Sequence, residues 1–131
     1  MALSLTTRTC EPGITVIEVS GRITLGRERE HIEATVLKAL NAGVERIVID
    51  LTDVSYVDSS GIGAITYCYG KVAQRGGHCA VAGAKGLVLD VFKLTRVDSV
   101  VPFYPDVESA CAALANPAAA PPSSGNAAPT V

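Results

Sequence analysis

The sequence has no tryptophan, a single methionine and only 5% aromatic residues among its 131 positions. It also has no uninterrupted run of about 18 apolar residues, so we expect no insertion into a membrane. Lysine and arginine (11) do not outnumber aspartate and glutamate (13), and the net charge of −2 argues against binding of nucleic acid. The first residues lack the charged start and apolar stretch of a signal peptide. These absences favour a cytoplasmic protein.

Cysteine is present but lacks the spacing of a metal site. None of the four residues forms a C-x-x-C pair or has a histidine at ligand spacing: Cys10, Cys68, Cys79 and Cys111. A zinc site is therefore not expected. We expect four reduced and mostly buried thiols, as is typical of free cysteine in a reducing compartment. No cofactor is predicted.

Composition predicts one folded domain followed by a tail. Apolar residues make up 48% of the chain and charged residues 18%, which is ordinary for a globular protein. From residue 116 onward the sequence is rich in proline, alanine and serine and has little to bury. We therefore predict a single domain over residues 1–115 and a disordered tail over residues 116–131.

Short apolar runs alternate with helical periodicity along the domain. We predict strands at 2–9, 14–20, 46–51, 79–82 and 100–103, and helices at 28–41, 60–75, 87–94 and from 106 onward. This order predicts an α/β domain with a mixed, mostly parallel sheet of about five strands and about four helices. We expect Gly21 to end the second strand and a loop to follow the central strand from Thr52 to Ser60. Sites gather at the carboxyl ends of strands in such sheets, so this loop is the first candidate.

The loop ends in Asp-Ser-Ser-Gly-Ile-Gly, from Asp58 to Gly63, at the predicted start of a helix. The simplest interpretation is capping, in which Asp58 or Ser59 accepts a backbone hydrogen bond worth about 1 kcal/mol. One residue is enough for a cap, so capping does not explain the acid and both serines together. Capping also leaves Gly61 and Gly63 unexplained, unless the helix packs closely on the sheet or another molecule approaches it.

A nucleophilic serine is the second interpretation, and the sequence gives it little support. The G-x-S-x-G turn of serine hydrolases is absent, because Val57 and Asp58 precede the serines. Neither His31 nor His78 is predicted to contact Ser60 as a base. A dinucleotide fingerprint fails as well, since Thr66 stands where its third glycine is needed. We therefore expect that the protein is not an enzyme.

Regulation by phosphate is the third interpretation. A serine at a helix N-terminus that is exposed at the sheet edge can be phosphorylated without unfolding the domain. The phosphate adds about −1.5 to −2 charges, and Asp58 already makes that surface negative. A partner bound over the helix end would then meet like charge, so binding would be switched with little change in fold.

Residues 48–63, VIDLTDVSYVDSSGIG, resemble the signature of the STAS domain, and the element order over roughly residues 3–115 resembles that family. Within the family the chain is most similar to bacterial anti-sigma factor antagonists. The resemblance implies that Ser60 is the phosphoacceptor and that an anti-sigma factor serine kinase binds the unphosphorylated form. It implies that phosphorylation releases this partner, that a serine phosphatase restores binding, and that the antagonist regulates sigma-factor-dependent transcription. ATP and magnesium would belong to the kinase, and we expect a monomer or a weak dimer.

The partner-binding surface implied by this resemblance has six members. Thr24 stands where many relatives have an acidic residue after the second strand, which puts the contact made through that acid in question. The six residues are Thr24, Asp58, Ser59, Ser60, Gly61 and Ile62. The alternative is a STAS interaction module without a switch, in a stress-signalling scaffold or a transporter-associated complex, where the serines only cap and pack.

Overall fold

The computed structural model describes residues 4–10, 13–24 and 27–115, and the tail predicted for 116–131 lies outside these ranges. The strands are β1 (Ser4–Cys10), β2 (Ile14–Ile23), β3 (Arg46–Val57), β4 (His78–Ala82) and β5 (Phe103–Tyr104). The helices are α1 (Arg27–Asn41), α2 (Ser59–Gln74), α3 (Gly86–Leu94) and α4 (Val107–Ala115), with a short 3-10 helix at Val97–Ser99.

The five strands form one sheet in the order β1-β2-β3-β4-β5. β1 pairs with β2 antiparallel, and each later pair is parallel. Every parallel connection contains a helix, as a parallel crossover requires. The predicted fold class, a mixed and mostly parallel sheet with four helices, is confirmed.

Alternating side chains of the central strands form two apolar cores on opposite faces of the sheet. In β3, Ile47 and Ile49 belong to one core and Val48 to the other. The larger core contains residues of α1, α2 and α3, whereas the smaller core, here the α4-side core, contains residues of α4. Helices thus cover both faces of the sheet, which is why residues 47–49 of β3 and 79–82 of β4 are continuous apolar runs.

β2 and β3 are longer than the sequence predicts. β3 continues to Val57, so residues 52–57 are not a loop, and β2 continues through Gly21 to Ile23. The pairing shifts register twice, because β3 has one extra residue opposite Glu18–Ser20 and another opposite Gly21–Arg22. Such bulges break the two-residue alternation by which a strand is recognised. The predicted Thr52–Ser60 loop is therefore wrong, and Asp58 alone separates β3 from α2.

The last strand is shorter than predicted. We predicted a strand at 100–103, but β5 contains only Phe103 and Tyr104. The 3-10 helix at Val97–Ser99 precedes it, and the Val100 and Val101 amides donate to the Val97 carbonyl oxygen. Because these two amides donate within the turn, they cannot donate to β4. Pairing with β4 therefore begins only at Phe103.

Arg96, between α3 and the 3-10 helix, has a left-handed backbone with φ of 63°. This conformation strains residues with a Cβ atom by about 1–2 kcal/mol, whereas glycine adopts it freely. We expect Arg96→Gly to raise the free energy of unfolding by about 1 kcal/mol in urea denaturation. The control Lys93→Gly, at an exposed position of α3, should lower it by about 1 kcal/mol. A loss of stability in both variants would contradict strain at Arg96.

Candidate functional site

The DSSG segment, residues 58–61, lies at the edge of the sheet where β2 and β3 end. The Asp58 amide donates to the Ile23 carbonyl oxygen at 3.3 Å, so the start of α2 is tied to the end of β2. Thr24 follows Ile23 directly and is half-buried at the same edge. The strand ends thus bring Thr24 close in space to the DSSG segment, although 33 positions separate it from Val57 along the chain.

Asp58 is the N-cap of α2. Its Oδ1 atom accepts hydrogen bonds from the Ser60 amide at 2.8 Å and the Gly61 amide at 3.2 Å. Its carbonyl oxygen accepts from the Ile62 amide at 3.1 Å and so closes the first helical turn. The carboxylate also lies at the positive end of the helix dipole, where negative charge is favourable. The capping interpretation is therefore confirmed for Asp58.

The two serines have opposite environments. Ser59 is exposed, whereas Ser60 is only 8% exposed and its Oγ atom is buried without a hydrogen-bond partner in the described structure. Consecutive helical residues differ in direction by about 100°, and the first turn of α2 lies against the ends of β2 and β3. Ser60 therefore faces inward and Ser59 outward. The expectation of an exposed Ser60 hydroxyl is wrong for this structure.

The first glycine of the motif is required by packing. A Cβ atom at Gly61 would lie 2.7 Å from Val57 Cγ1 and 2.8 Å from Ile23 Cγ2, far inside the contact distance of carbon atoms. The absence of a side chain lets α2 approach the last residues of β2 and β3. Of the two reasons that the sequence left open for Gly61, close packing on the sheet is the one that the structure supports.

The second glycine faces a cation from α1. A Cβ atom at Gly63 would lie 3.1 Å from Arg29 Nη1, so the guanidinium rests against α2 one turn after Ser60. Arg29 Nε also donates to Glu33 Oε2 at 2.7 Å, which holds the guanidinium in place. The first turns of α2 thus carry a carboxylate at the cap, Asp58, and a guanidinium against Gly63.

Sequence reasoning assigned no role to the exposed pair Arg22 and Tyr56. These residues are partners in the β2–β3 register, and the guanidinium carbon lies 4.3 Å from the tyrosine ring centroid. The ring is 42% exposed, two positions before Asp58. An aromatic ring and a guanidinium are typical contact residues of protein interfaces. This pair could not be predicted from the sequence, because the two bulges in β3 change which face of the strand carries Tyr56.

The structure does not assemble a catalytic group around Ser60. His78 begins β4 beside Arg46, at the opposite end of the sheet from Asp58, and His31 is exposed on α1. Over residues 4–10, 13–24 and 27–115, no three His, Cys, Asp or Glu side chains are grouped as metal ligands. No helix in the same ranges is long and apolar enough to cross a membrane. The chemistry available at this edge is hydrogen bonding, charge and the hydroxyls of two serines.

Comparison with known proteins agrees with this geometry. The profile of the STAS domain family matches residues 7–110, which include every strand pair and the DSSG segment. The chain belongs to the STAS domain family. Relatives of this STAS domain, in sequence and in structure, carry the name anti-sigma factor antagonist, so the resemblance noted in the sequence is confirmed.

Two sequence relatives illustrate the similarity. A protein of Thermotoga maritima provisionally named an anti-sigma factor antagonist is 31% identical over 71 residues, which are 54% of this chain and 63% of the relative. The match thus spans less than two thirds of that relative's length. The anti-sigma F factor antagonist of Paenibacillus polymyxa is 25% identical over 97 residues, covering 70% of this chain and 79% of the relative.

Two solved structures share the fold. An anti-sigma factor antagonist from Mycobacterium paratuberculosis superposes with a TM-score of 0.77 at 23% identity, covering 86% of this chain and 94% of the other. The Bacillus cell fate determinant SpoIIAA in its phosphorylated form superposes with a TM-score of 0.65 at 18% identity, covering 83% and 97%. At these identities the likeness concerns the fold.

Proposed function

We propose that this STAS domain is an anti-sigma factor antagonist that binds an anti-sigma factor serine kinase and is released when Ser60 is phosphorylated. The proposal rests mainly on one observation. An Asp-capped helix begins with two serines at the edge of the sheet where β2 and β3 end. The names of the sequence relatives, and the existence of a related fold in a phosphorylated form, support it.

The proposed docking surface consists of the exposed residues around that helix end. Ser59 is exposed, and Thr24, Asp58 and Ile62 are half-buried, so each has a part available to a partner. Gly61 contributes indirectly, since its missing side chain sets the height of α2 above the sheet. The Arg22–Tyr56 pair adds an aromatic surface and a cation beside Asp58.

Phosphorylation requires the Ser60 side chain to turn toward solvent. In the buried rotamer the hydroxyl has no hydrogen-bond partner, which costs about 1–3 kcal/mol relative to a satisfied hydroxyl. The switch requires a rotamer about the Cα–Cβ bond that brings the Oγ atom to water, where new hydrogen bonds would replace the unsatisfied state. A kinase bound over Ser59 and Asp58 would capture this outward rotamer.

A phosphate on the outward rotamer would act chiefly through charge. It adds about −1.5 to −2 charges next to Asp58, whose carboxylate already occupies the first amides of α2. A partner that packs over this helix end would be repelled by the like charge. Its binding would also include the free-energy cost of desolvating the phosphate. The core beneath α2 is unaffected, so the domain stays folded while the partner leaves.

In this proposal, the partners carry out the phosphorylation and dephosphorylation of Ser60. The kinase supplies ATP and magnesium, a serine phosphatase removes the phosphate, and this chain is a substrate and a binder rather than an enzyme. Its role in sigma-factor-dependent transcription follows from sequestering the kinase. We further propose that a single copy carries the complete docking surface.

A STAS interaction module without a switch is the second candidate, in a stress-signalling scaffold or beside a transporter. The buried Ser60 Oγ atom favours it, because a kinase cannot reach a hydroxyl in that rotamer. In this case the serines would serve only the start of α2, and partner binding would not respond to phosphate.

Phosphate transfer from ATP by a cognate anti-sigma factor kinase tests the switch. We expect one phosphate per chain, located by mass spectrometry on Ser60, since the outward rotamer exposes this hydroxyl to the bound kinase. Ser59→Ala is the matched control and should still accept it, whereas Ser60→Ala should not. Phosphate found on Ser59 would contradict the assignment to Ser60, and no phosphate on a kinase-bound chain would favour the module without a switch.

A further inference from the structure

The four cysteines lie in two pairs that the sequence does not reveal. Cys10 ends β1 and packs against the α4-side core, which contains Cys111 of α4. The Cys10 and Cys111 thiols also interact through a side-chain hydrogen bond. Cys68 of α2 and Cys79 of β4 both belong to the larger core on the other face of the sheet. All four thiols are reduced.

The two pairs differ in their access to solvent. Cys68 and Cys79 are buried, and desolvation raises the pKa of Cys68 to about 12 and that of Cys79 far above its usual range. Both members of this pair are shielded, so a disulfide oxidant has no accessible thiol of this pair to react with first. Cys10, on the edge strand β1, is only half-buried.

A cation lies beside the Cys10–Cys111 pair. Arg8 precedes Cys10 by two positions, so both side chains point to the same face of β1. Its guanidinium donates to Glu18 Oε2 at 2.7 Å and interacts electrostatically with both thiols. Burial, and after it the neighbouring Cys10, raise the pKa of Cys111 to about 11, while Arg8 opposes the rise. The positive charge of Arg8 thus favours the thiolate form of Cys111, which is the reactive form.

We propose that Cys10 and Cys111 are a redox-sensitive thiol pair, which a disulfide oxidant such as oxidised glutathione converts into a disulfide that ties α4 to β1. The Cys10 thiolate attacks one sulfur of the oxidant, forms a mixed disulfide and releases one glutathione thiolate. The Cys111 thiolate then attacks the Cys10 sulfur and releases the second. Two cysteine thiols are oxidised, the oxidant is reduced to two thiols, and these thiols take up the two protons.

The environment of the pair sets the order of these steps. Cys10 reacts first, because it is half-buried whereas Cys111 is buried. Cys111 belongs to the core against which Cys10 packs, so it is positioned to attack the mixed disulfide within the same chain.

The disulfide would form away from the proposed docking surface. Cys10 pairs with Ile14, where β2 begins, whereas Asp58 follows the ends of β2 and β3. The inference is therefore independent of the proposed function. The bond would close a loop of about 100 residues, the loop length at which a cross-link restricts the unfolded chain strongly. Its expected effect is to fix the C-terminal helix on the antiparallel edge of the sheet.

Mass spectrometry after equilibration in glutathione redox buffers tests the proposal. The full-length folded chain is equilibrated over a series of reduced to oxidised ratios, its remaining thiols are alkylated, and it is digested with trypsin. The four cysteines fall in four separate tryptic peptides, 9–22, 47–71, 76–85 and 97–131. We expect peptide 9–22 linked to peptide 97–131 within single chains, with peptides 47–71 and 76–85 alkylated only after denaturation.

Cysteine variants test whether the disulfide raises the melting temperature. Oxidised wild-type protein should melt about 10 °C higher than reduced protein, as expected for a large closed loop. Cys10→Ser and Cys111→Ser should abolish both the link and this shift, whereas the control Cys68→Ala should keep both. A link only between chains, a link that forms only in urea, or a Cys68–Cys79 link at the same rate would overturn the proposal.

Discussion

Ser60→Asp is expected to weaken binding of the anti-sigma factor kinase about 100-fold or more, while Ser60→Ala should bind at least as tightly as wild type. The aspartate places a second carboxylate beside Asp58, at a surface that the partner must desolvate. Like charge in an interface costs several kcal/mol, and 100-fold corresponds to about 2.7 kcal/mol. Titration calorimetry with the purified kinase measures both affinities.

The same two variants reveal whether residue 60 can turn outward. A carboxylate held in the buried position would lose several kcal/mol of stability, since an unpaired charge cannot remain in an apolar site. We expect Ser60→Asp to stay within about 1 kcal/mol of wild type in urea denaturation, because the side chain turns to solvent. Ser60→Ala should be about 1 kcal/mol more stable, since it removes a buried hydroxyl without a partner.

These measurements separate folding from binding. Ser59→Asp is the matched control, because it adds the same charge at an exposed neighbouring position without an inward rotamer. It should leave stability unchanged and weaken binding to some degree. A folded Ser60→Asp protein that binds as well as Ser60→Ala would refute the phosphate switch. A loss of more than about 3 kcal/mol of stability would show that Ser60 is locked inside.

Gly61→Ala is expected to destabilise the domain by about 2 kcal/mol, although alanine is the better helix former. Its Cβ atom would lie 2.7 Å from Val57 Cγ1 and 2.8 Å from Ile23 Cγ2. To relieve both contacts, α2 must lift from the ends of β2 and β3, which weakens packing there and moves Asp58 and Ser60. Thermal unfolding followed by circular dichroism should show a melting temperature lower by about 8 °C.

Gly70→Ala is the matched control in the same helix. Its Cβ atom would have no neighbour within 4 Å, so only the gain in helix propensity remains. That variant should be more stable by about 0.5–1 kcal/mol. Gly61→Ala with unchanged or increased stability would contradict the close approach of α2 to the sheet, whereas opposite signs in the two variants would confirm it.

Local patterns were sufficient to predict most of the fold. The continuous apolar stretch at 46–51 indicated a strand covered on both faces, and Ile47, Val48 and Ile49 are fully buried in two different cores. The four-residue spacing of Ile32, Val36 and Leu40 predicted α1, and these residues form its buried face. Such periodicity depends only on backbone geometry, so it can be recognised without tertiary contacts.

The errors arose where a residue's role depends on a distant strand. β3 was predicted to stop at Leu51, because the following residues do not alternate. Their alternation is broken by two bulges that are defined only against β2. The same bulges displaced Tyr56 onto the surface beside Arg22. Register across a sheet is a relation between segments about 30 residues apart, and no local window contains it.

The sequence by itself determined the α/β class, the mostly parallel sheet and a capped helix start at Asp58 or Ser59, because these follow from side-chain period and local hydrogen bonding. Tertiary structure alone decided the inward rotamer of Ser60, the need for glycine at position 61 and the pairing of Cys10 with Cys111. Each of these depends on which atoms from other elements fill the space around a side chain. That space exists only after the strands and helices have packed.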